Sequence, residues 1–369
     1  MQSVEGQYAL EVRANGKDLR LNSSHLTHFY VINNIHQYLP TLNFAFKDSA
    51  RIYRENPMMD GTPISVSMGT GSNAMNPTLN FKGMGQPKFS PSGTYTNVGI
   101  NAVLDKIEYL KKVVDKNFKG TASDVFSELA GTVGLQVDAD TTKDFMNWLP
   151  NSTTIAQYLH HVSSRSFAGE ATAMIQAVTD KGVLRFKDLE KLTKQGPKKQ
   201  FTYDNSGLPI LAYATNPKSA ASNSGHGYGT SSIGQKEDGS MFEANKVKMS
   251  MLSAANSVSS VFQEAIGDLG SRINFLPPLS GNTHEMWNQA IHQNPRIKST
   301  FAYDLELITN VVTGVDLLDV VGFRGWDPAT HSEAIQLTGK YIVTATTKLI
   351  MNNRYLEKIV MTSQAPGGV

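Results

Sequence analysis

The sequence predicts an α+β protein that is rich in β-strands. Two terminal stretches, residues 8–68 and 301–362, contain several short runs with apolar residues at every second position, as strands with one buried face do. Between them, residues 104–195 alternate helical and strand-like patterns. Because the N-terminal strands are short and separated by turn residues, that stretch predicts a β-barrel or a β-sandwich.

The first strands are marked by alternation and by turn dipeptides. Tyr8, Leu10 and Val12 alternate with more polar residues, and Asn15-Gly16 follows, a pair that tolerates the positive φ of a tight hairpin. The same signals recur at Leu19 and Leu21, at Phe29 to Ile32, at Leu42, Phe44 and Phe46, at the turn Asp60-Gly61, and at Ile64, Val66 and Met68.

The middle stretch predicts a small α+β unit. Residues 103–118 fit a helix and a strand equally well. Thr121, with Asp124 three residues later, predicts the start of a helix that Gly134 ends. Thr153 or Thr154 predicts a second helix, with Gly169 near its end. A short strand is predicted at Leu135 and Val137, and a hairpin at Met174 to Val178, Asp180-Lys181-Gly182 and Val183 to Phe186.

The remaining chain returns to strands after an irregular region. Residues 206–240 are rich in Gly, Ser and Asn and predict a mobile loop. Helices are predicted at 254–273 and from Asn282 or Thr283 to Ile291, stopped by Asn294-Pro295, with a strand at 247–251. The last predicted strands are Phe301 to Leu307, Tyr341 to Thr347 and Tyr355 to Thr362, the last two joined by the turn Asn352-Asn353.

The composition of the chain narrows the range of possible functions. The 369 residues are 40% apolar and 18% charged, which indicates a folded core, and the net charge of +2 disfavours nucleic-acid binding as a main task. Without cysteines the chain has no disulfides, thiol catalysis or thiolate metal sites. No signal peptide or apolar stretch of about 20 residues is visible, so we expect synthesis in the cytosol and no membrane span.

Histidine motifs do not fit known catalytic patterns. His284-Glu285 begins a predicted helix, but His292 lies eight residues after His284, whereas a zinc peptidase helix needs its second histidine one turn after the first. His160-His161 point to different helix faces and have no carboxylate one turn away. We interpret them as parts of surface helices and expect no catalytic residue, metal ligand or cofactor site.

Glycine-rich and acidic clusters also favour structural roles. Gly69-Thr70-Gly71 and residues 225–229 lack the Lys-Ser/Thr ending of a phosphate-binding loop. Asp138, Asp140 and Asp144 could bind a hard cation, but they lack the glycine and the distant glutamate of a calcium loop. A solvated strand edge is the preferred interpretation, and the chain shows no catalytic signature.

From Lys116 onward, the order of segments resembles a known family. The block Asn117-Phe118-Lys119-Gly120-Thr121-Ala122-Ser123-Asp124 runs through a helix to Gly134-Leu135-Gln136-Val137, and residues 180–189 follow as a hairpin and exit. Residues 42–46 with 60–64, and residues 339–343 with 355–361, add weaker matches. Together they resemble the tail or baseplate hub proteins of contractile-tailed phages and related injection machines, including late-control D-type hubs. The resemblance favours a strand just before Lys116.

The resemblance implies an architecture of two tail-tube-like β-barrel domains. Residues 1–103 would form the first and residues 201–240 with 296–369 the second, which would carry a Gly/Ser-rich loop at 216–240. Residues 104–200 would be an α+β middle domain, and residues 241–295 a helical insertion packing near it.

It also implies a structural, non-enzymatic role. Three copies would form a ring that joins the tail tube protein to the central spike protein, contacts other baseplate proteins and lets DNA or effectors pass without specific binding. The chain would be assembled in the host cytoplasm and reside in the virion. Two alternatives stay open: a tail-associated cell-wall hydrolase, and a carbohydrate- or receptor-binding β-protein.

Overall fold

We analysed the chain as a computed structural model. It describes residues 8–49, 51–71, 74–150, 152–169, 172–203, 207–217, 232–235, 241–244, 274–275, 303–327, 332–334 and 337–363, with single residues 284, 286, 290, 293, 297 and 301. The described part is rich in strands and has few helices, which confirms a β-rich α+β protein.

The N-terminal third is almost entirely strands. Its elements are β1 (Tyr8–Ala14), β2 (Lys17–Asp18), β3 (Leu26–Asn34), β4 (Thr41–Lys47), α1 (Ile52–Glu55), β5 (Pro63–Thr70), β6 (Ala74–Met75), β7 (Leu79–Gly83), β8 (Lys88–Ser92) and β9 (Tyr95–Leu104). Asn15 and Gly16 have φ values of 51° and 79°, so the predicted hairpin turn is confirmed. Strand β2 ends at Asp18, and Leu19 and Leu21 are buried beyond it.

The middle unit mixes helices and short strands. Its elements are α2 (Glu108–Lys111), β10 (Phe118–Gly120), α3 (Ala122–Thr132), β11 (Gln136–Ala139), β12 (Met146–Trp148), α4 (Ile155–Arg165), β13 (Met174–Val178), β14 (Val183–Asp188) and α5 (Leu189–Lys194). Thr121 and Thr154 each form a capping box at the start of α3 and α4, as predicted for Thr121 and for one of the two candidates of α4. Strand β14 lies between β11 and β13.

The segment before Lys116 differs from the expected strand. It holds the single-turn helix α2, and then only an isolated bridge between Val113 and Thr154. The physical reason is that the backbone here bonds to the start of α4: Val114 N–H donates to Thr153 O at 3.0 Å, and Ile155 N–H donates to Lys112 O at 2.9 Å.

The C-terminal part of the chain begins with β15 and ends with a long hairpin. Its elements are β15 (Lys199–Thr202), β16 (Leu208–Pro209), β17 (Ala212–Pro217), β18 (Ser232–Gln235), β19 (Met241–Ala244), β20 (Asn274–Phe275), β21 (Tyr303–Thr309), β22 (Val320–Arg324), β23 (Trp326–Asp327), β24 (Ser332–Glu333), β25 (Gly339–Met351) and β26 (Arg354–Ser363). The predicted turn joins β25 to β26, with φ values of 50° at Asn352 and 59° at Asn353.

Part of the predicted loop and helical insertion is described. Strand β18 lies inside the expected loop 216–240, and β19 begins the expected helical insertion; both predictions are wrong at these points, because β18 pairs with β19 and β20 in a small sheet. Ala290 and Gln293 are helical, but so is Ile297, beyond the predicted stop at Asn294-Pro295. The predicted helix 254–273, the predicted strand 247–251 and the proposed caps Asn282 and Thr283 lie outside the described residues.

Sixteen strands of the described chain form one continuous sheet with two cores. One core contains Phe29, Phe44, Phe46, Ile64 and Val66, and the other contains Phe201, Leu305, Leu307, Phe323 and Tyr341. The β25–β26 hairpin serves both cores, because Ile350 and Tyr355 lie in the first and Val343 and Met361 in the second. The middle unit has its own core, where the rings of Phe126 and Phe186 stack at 3.9 Å between their centroids.

The two halves of this sheet repeat one strand order. The repeated orders are β3-β4-β9-β7-β5 and β17-β21-β26-β25-β22. If the five strands of each half are numbered in the order in which they occur along the chain, both halves have the sheet order 1-2-5-4-3. Every neighbouring pair in both halves is antiparallel. One more strand lies next to the last strand of each order, β1 beside β5 and β15 beside β22. The two differ in direction, because β1 is antiparallel to β5 whereas β15 is parallel to β22. We call the two halves the first and second modules.

A single long strand joins the modules. The first part of β25 pairs with β22, from Gly339 to Ile342, and its second part pairs with β3, from Ala345 to Ile350. A bulge between Val343 and Ala345 separates the two parts on the side of β26. Since a bulge bends a strand and strengthens its twist, it allows β25 to leave one module and reach the other.

Candidate functional site

The three acidic residues singled out in the sequence do not converge. Asp138 contacts Lys187 and Arg185, whereas Asp140 accepts a hydrogen bond from the Asp188 backbone N–H at 2.9 Å. Asp144 is buried and accepts from the backbone N–H groups of Ala122 at 2.8 Å and Phe167 at 2.7 Å. Each carboxylate therefore holds local structure, and no group of three potential ligands (His, Cys, Asp or Glu) gathers to hold a metal within the described residues.

The histidines are also placed for structure. His284 is buried, stacks near Phe167 and donates from Nε2 to the backbone oxygen of Arg165 at 2.9 Å. Burial lowers the pKa of His284. Burial and the nearby Arg165 also lower the pKa of His161. His160 lies beside Gln176, with 3.5 Å between Nδ1 and Nε2. Glu285 and His292 lie outside the described residues.

Gly69 and Thr70 end strand β5, and Gly71 forms the turn that leads towards β6, with a φ of 60°. This turn therefore joins two strands, whereas the phosphate-binding loops considered above lead into a helix. Residues 225–229 lie outside the described part of the chain.

One cavity of about 450 Å³ lies where the β3–β4 connection meets the middle unit. It is lined by His36, Tyr38, Tyr109, His160 and Gln176, among other residues, and none of its described lining residues is a carboxylate. It therefore lacks the pair of acids that a glycosidase of the usual kind requires. In the described chain, no helix is both long enough and apolar enough to span a membrane.

Several buried charged groups of the described chain gather at the joint where the middle unit meets the long β25–β26 hairpin. The turn between β13 and β14 carries Asp180, whose carboxylate contacts the Lys348 ammonium on β25. Both are buried, with 3% and 4% of their surfaces exposed. Lys348 stands directly opposite Glu357 on β26, which is fully buried. A cation thus sits between two carboxylates from different parts of the chain. We call this group the joint cluster.

Neighbouring groups satisfy the remaining polar atoms of Glu357. The Thr313 N–H and hydroxyl donate to its two oxygens at 3.0 and 2.9 Å, and the Tyr355 hydroxyl donates at 3.1 Å. Asn76, from the first module, donates its amide to the Tyr355 oxygen at 2.9 Å. This chain of hydrogen bonds connects the first module to the joint cluster.

A second set of ion pairs surrounds the first. Lys181 forms an ion pair with Asp316 at 3.2 Å. Asp319 forms two ion pairs, with Arg185 at 2.8 Å and with Lys198 at 2.9 Å. Asp316 and Asp319 both lie in the connection between β21 and β22, so this set ties the middle unit to the second module.

Burial and neighbouring groups have opposite effects on the pKa values of Lys348 and Asp319 at this joint. Burial raises the pKa of Glu357, and burial with the nearby Asp180 raises that of Asp316. Burial alone would lower the pKa of Lys348, but the carboxylates of Asp180 and Glu357 outweigh it and raise the pKa. Against the effect of burial, hydrogen bonds from Lys198 and Arg185 lower the pKa of Asp319. The joint cluster therefore keeps Lys348 charged and fixed between its partners.

The joint cluster was not predicted from the sequence, although the sequence contains one signal for it. Tyr355, Glu357, Ile359 and Met361 occupy alternate positions of β26, and all four are buried. A glutamate on the apolar face of a strand predicts a buried partner of opposite charge. The turn Asp180-Lys181-Gly182 was predicted as a hairpin, but its docking onto β25 depends on tertiary structure.

Comparison with known proteins gives the fold a context. No protein-family model matches the sequence, and no curated protein does. A 43 kDa tail protein of prophage MuSo2 from Shewanella oneidensis matches with a TM-score of 0.59, 10% identity, and coverage of 97% of this chain and 98% of the other. A tail protein from Neisseria meningitidis matches with a TM-score of 0.58 and 11% identity, covering 97% of both chains.

A secretion-system protein shows the same similarity. A component of the type VI secretion system of E. coli, described as similar in structure to T4 bacteriophage tail proteins gp27 and gp5, matches with a TM-score of 0.50 and 10% identity over 97% of this chain and 78% of the other. The resemblance found in the sequence is thus confirmed at the level of structure: the chain has the fold of phage tail and type VI secretion proteins.

Proposed function

We propose that the chain is a structural hub of a phage-type tail or a related contractile injection machine. Three copies form a ring that joins the tail tube protein to the central spike protein and lines the channel for DNA or effector passage. The observation that carries this proposal is the repeated strand order of the two modules within one chain. Three chains then present six similar modules to a sixfold tube, and threefold symmetry to the spike.

The joint cluster supports this role. A ring built from two modules per chain needs a fixed angle between them, because heterologous contacts close a ring only at the correct rotation. The shared strand β25, and the ion pairs that lock the middle unit onto it, hold the modules in one arrangement. The cost of removing buried charges from water offsets much of the attraction between them, so such a cluster adds little to stability. Its best-attested use is to select one arrangement of the parts that it joins.

Each part of the chain has its own place in the proposed hub. Residues 1–103 form the first tail-tube-like barrel domain, and residues 201–240 with 296–369 form the second. Residues 104–200 form the middle domain, and residues 241–295 an insertion beside it. The net charge of +2 suits a channel that does not hold passing DNA. Other baseplate proteins bind the outside of the ring, and the protein acts without catalysis in the virion.

Cryo-electron density of the intact particle tests the proposal directly. We expect three copies of the chain in one layer between the tail tube and the spike. Six copies, or a position at the periphery of the baseplate, would contradict the hub function. Intact particles are required because the isolated chain lacks the tube and spike surfaces that favour the ring.

The same particles test the two alternatives. A cell-wall hydrolase would clear peptidoglycan and lose that activity in the variants Asp138→Ala or His284→Ala, whereas a hub gives no clearing that depends on these residues. A carbohydrate-binding protein would give a reproducible signal on a glycan array. Of the tryptophans in the described part, Trp148 is buried and Trp326 is exposed, so they do not form a shared exposed aromatic face.

A further inference from the structure

Two strand edges on opposite modules are unpaired within the described residues. In the part of the chain that the structure describes, strand β8 pairs only with β9, and strand β17 pairs only with β21. Both strands are largely exposed: Lys88, Phe89 and Ser90 on β8, and Ala212, Ala214 and Thr215 on β17, are open to solvent. An exposed edge presents free backbone N–H and C=O groups and is a template for pairing with another chain.

The repeated strand order shows what these edges correspond to. In the second module, β25 continues past β22, and its second part receives β3 of the first module. In the first module the position of β25 is filled by two strands: β7 pairs with β5, and β8 continues alongside β9 beyond it. Thus β8 corresponds to the second part of β25, and β17 corresponds to β3.

We propose that β17 of one copy pairs with β8 of the next copy, repeating between chains the contact that β3 makes with β25 within the chain. This inference rests on the proposed hub function and specifies its interface. The second copy is favoured as the occupant because the contact between the modules of one chain is already formed by equivalent strands. A ring of three chains then contains one kind of contact six times, three within chains and three between them.

The equivalence of β8 with β25 fixes a register. In each module we take the row of opposed residues that starts at the first residue of β5 or β22, because these two strands are equivalent. The rows are Pro63, Lys82 and Val103 in the first module, and Val320, Ile342 and Thr362 in the second. In the first module, Asn97 lies six residues before Val103 and is opposite Ser90. In the second module, Leu356 lies six residues before Thr362 and is opposite Leu349. Ser90 is therefore the equivalent of Leu349.

The same rows locate the partner on β17. Tyr30 of β3 lies opposite Asn43 of β4, which lies opposite Asn101, two residues before Val103. Ala214 of β17 lies opposite Glu306 of β21, which lies opposite Val360, two residues before Thr362. Ala214 is thus the equivalent of Tyr30. Because Leu349 faces Tyr30 within the chain, Ser90 faces Ala214 of the neighbouring copy.

Side chains at this edge are compatible with a weak, specific contact. The register places Phe89, which is 53% exposed, opposite Thr215, and Lys88 opposite Asn216. Pro91 follows on β8 and has no backbone N–H, so one donor is missing from this edge. A proline also limits unwanted edge pairing before assembly.

A disulfide placed at the predicted contact tests the inference. The chain has no cysteine, so the double variant Ser90→Cys/Ala214→Cys carries only the two introduced thiols. Opposed residues of antiparallel strands have Cα atoms about 4.5 to 5.5 Å apart, which is within the range for a disulfide. We expect particles assembled under reducing conditions and then oxidised to yield a covalent three-chain species on a non-reducing gel, which a reductant returns to single chains.

Matched controls separate edge pairing from general proximity. Each single variant, and the pair Ser127→Cys/Ala214→Cys, in which Ser127 is exposed on α3, should give no three-chain species. If particles hold three copies but the Ser90/Ala214 pair does not cross-link, the edge contact is overturned and the hub function stands. If the particles do not hold three copies, the hub function is overturned and this interface with it.

Discussion

Lys348 links the middle unit to the β25–β26 hairpin. It is buried between Asp180 of the middle unit and Glu357 of the same hairpin. Removing a charge from water costs several kcal/mol, so such a residue persists only where its partners are fixed. Wrong relative placements of the middle unit and the hairpin would leave these charges buried and unpaired, and the joint cluster therefore selects one arrangement.

Replacing this lysine should be strongly destabilising. Lys348→Met keeps much of the side-chain volume but leaves two buried carboxylates without their cation, so we expect a loss of about 3 to 5 kcal/mol in the free energy of unfolding. Chemical denaturation followed by circular dichroism measures this loss.

A surface lysine on the adjacent strand provides the matched control. Lys358 pairs with Glu306, and both side chains are more than a third exposed, at 39% and 38%. Since exposed pairs contribute about 0 to 1 kcal/mol, Lys358→Met should change stability little. Equal losses for the two lysine variants would show that the joint cluster contributes no more than a surface ion pair.

At the scale of elements, turns and caps follow local rules. The hairpin between β25 and β26 depends on two successive residues with positive φ, Asn352 and Asn353. Asparagine tolerates this conformation better than most residues with a Cβ atom. The hairpin matters beyond its own strands because it supplies residues to both cores and carries Lys348 and Glu357.

Substitutions at the second turn residue test this dependence. Asn353→Ala should lower the free energy of unfolding by about 1 kcal/mol, since alanine resists the left-handed conformation. Asn353→Gly should keep or slightly raise stability, because Asn-Gly suits a two-residue hairpin. Thermal unfolding compares the two, and an alanine variant as stable as the glycine variant would contradict the assigned turn geometry.

At the scale of the molecule, the continuous sheet couples the two modules. Strand β25 contributes hydrogen bonds to β22 in one module and to β3 in the other. Neither module can therefore lose this strand without disturbing its neighbour. The repeated strand order has no counterpart in a visible sequence repeat, because both modules need only alternating apolar residues, and many sequences satisfy that pattern.

Hydrogen exchange should reveal the coupling. We expect amides of β3, β25 and β26 to exchange with one shared opening free energy, close to that of global unfolding. Amides on the unpaired edges of β8 and β17 should exchange faster in the free chain. Distinct opening free energies for β3 and β26 would show that the modules unfold separately.

Local chemistry allowed much of the fold to be predicted. The hairpin at Asn15-Gly16, the caps Thr121 and Thr154 and the alternating strands β3, β4, β21 and β26 all follow from nearby residues. The segment before Lys116 could not be predicted in this way. Its backbone partners are at the start of α4, far along the chain, and the local pattern fitted two structures equally.

The sequence by itself determined the β-rich class, most turns and helix starts, and the resemblance to tail proteins, because these depend on the spacing of neighbouring residues. Only the tertiary structure decided that Asp180 meets Lys348, that β25 joins two modules, and that those modules share a strand order. These features depend on contacts between residues distant in the chain, and such contacts leave no local pattern beyond an occasional charge, such as Glu357, on an apolar face.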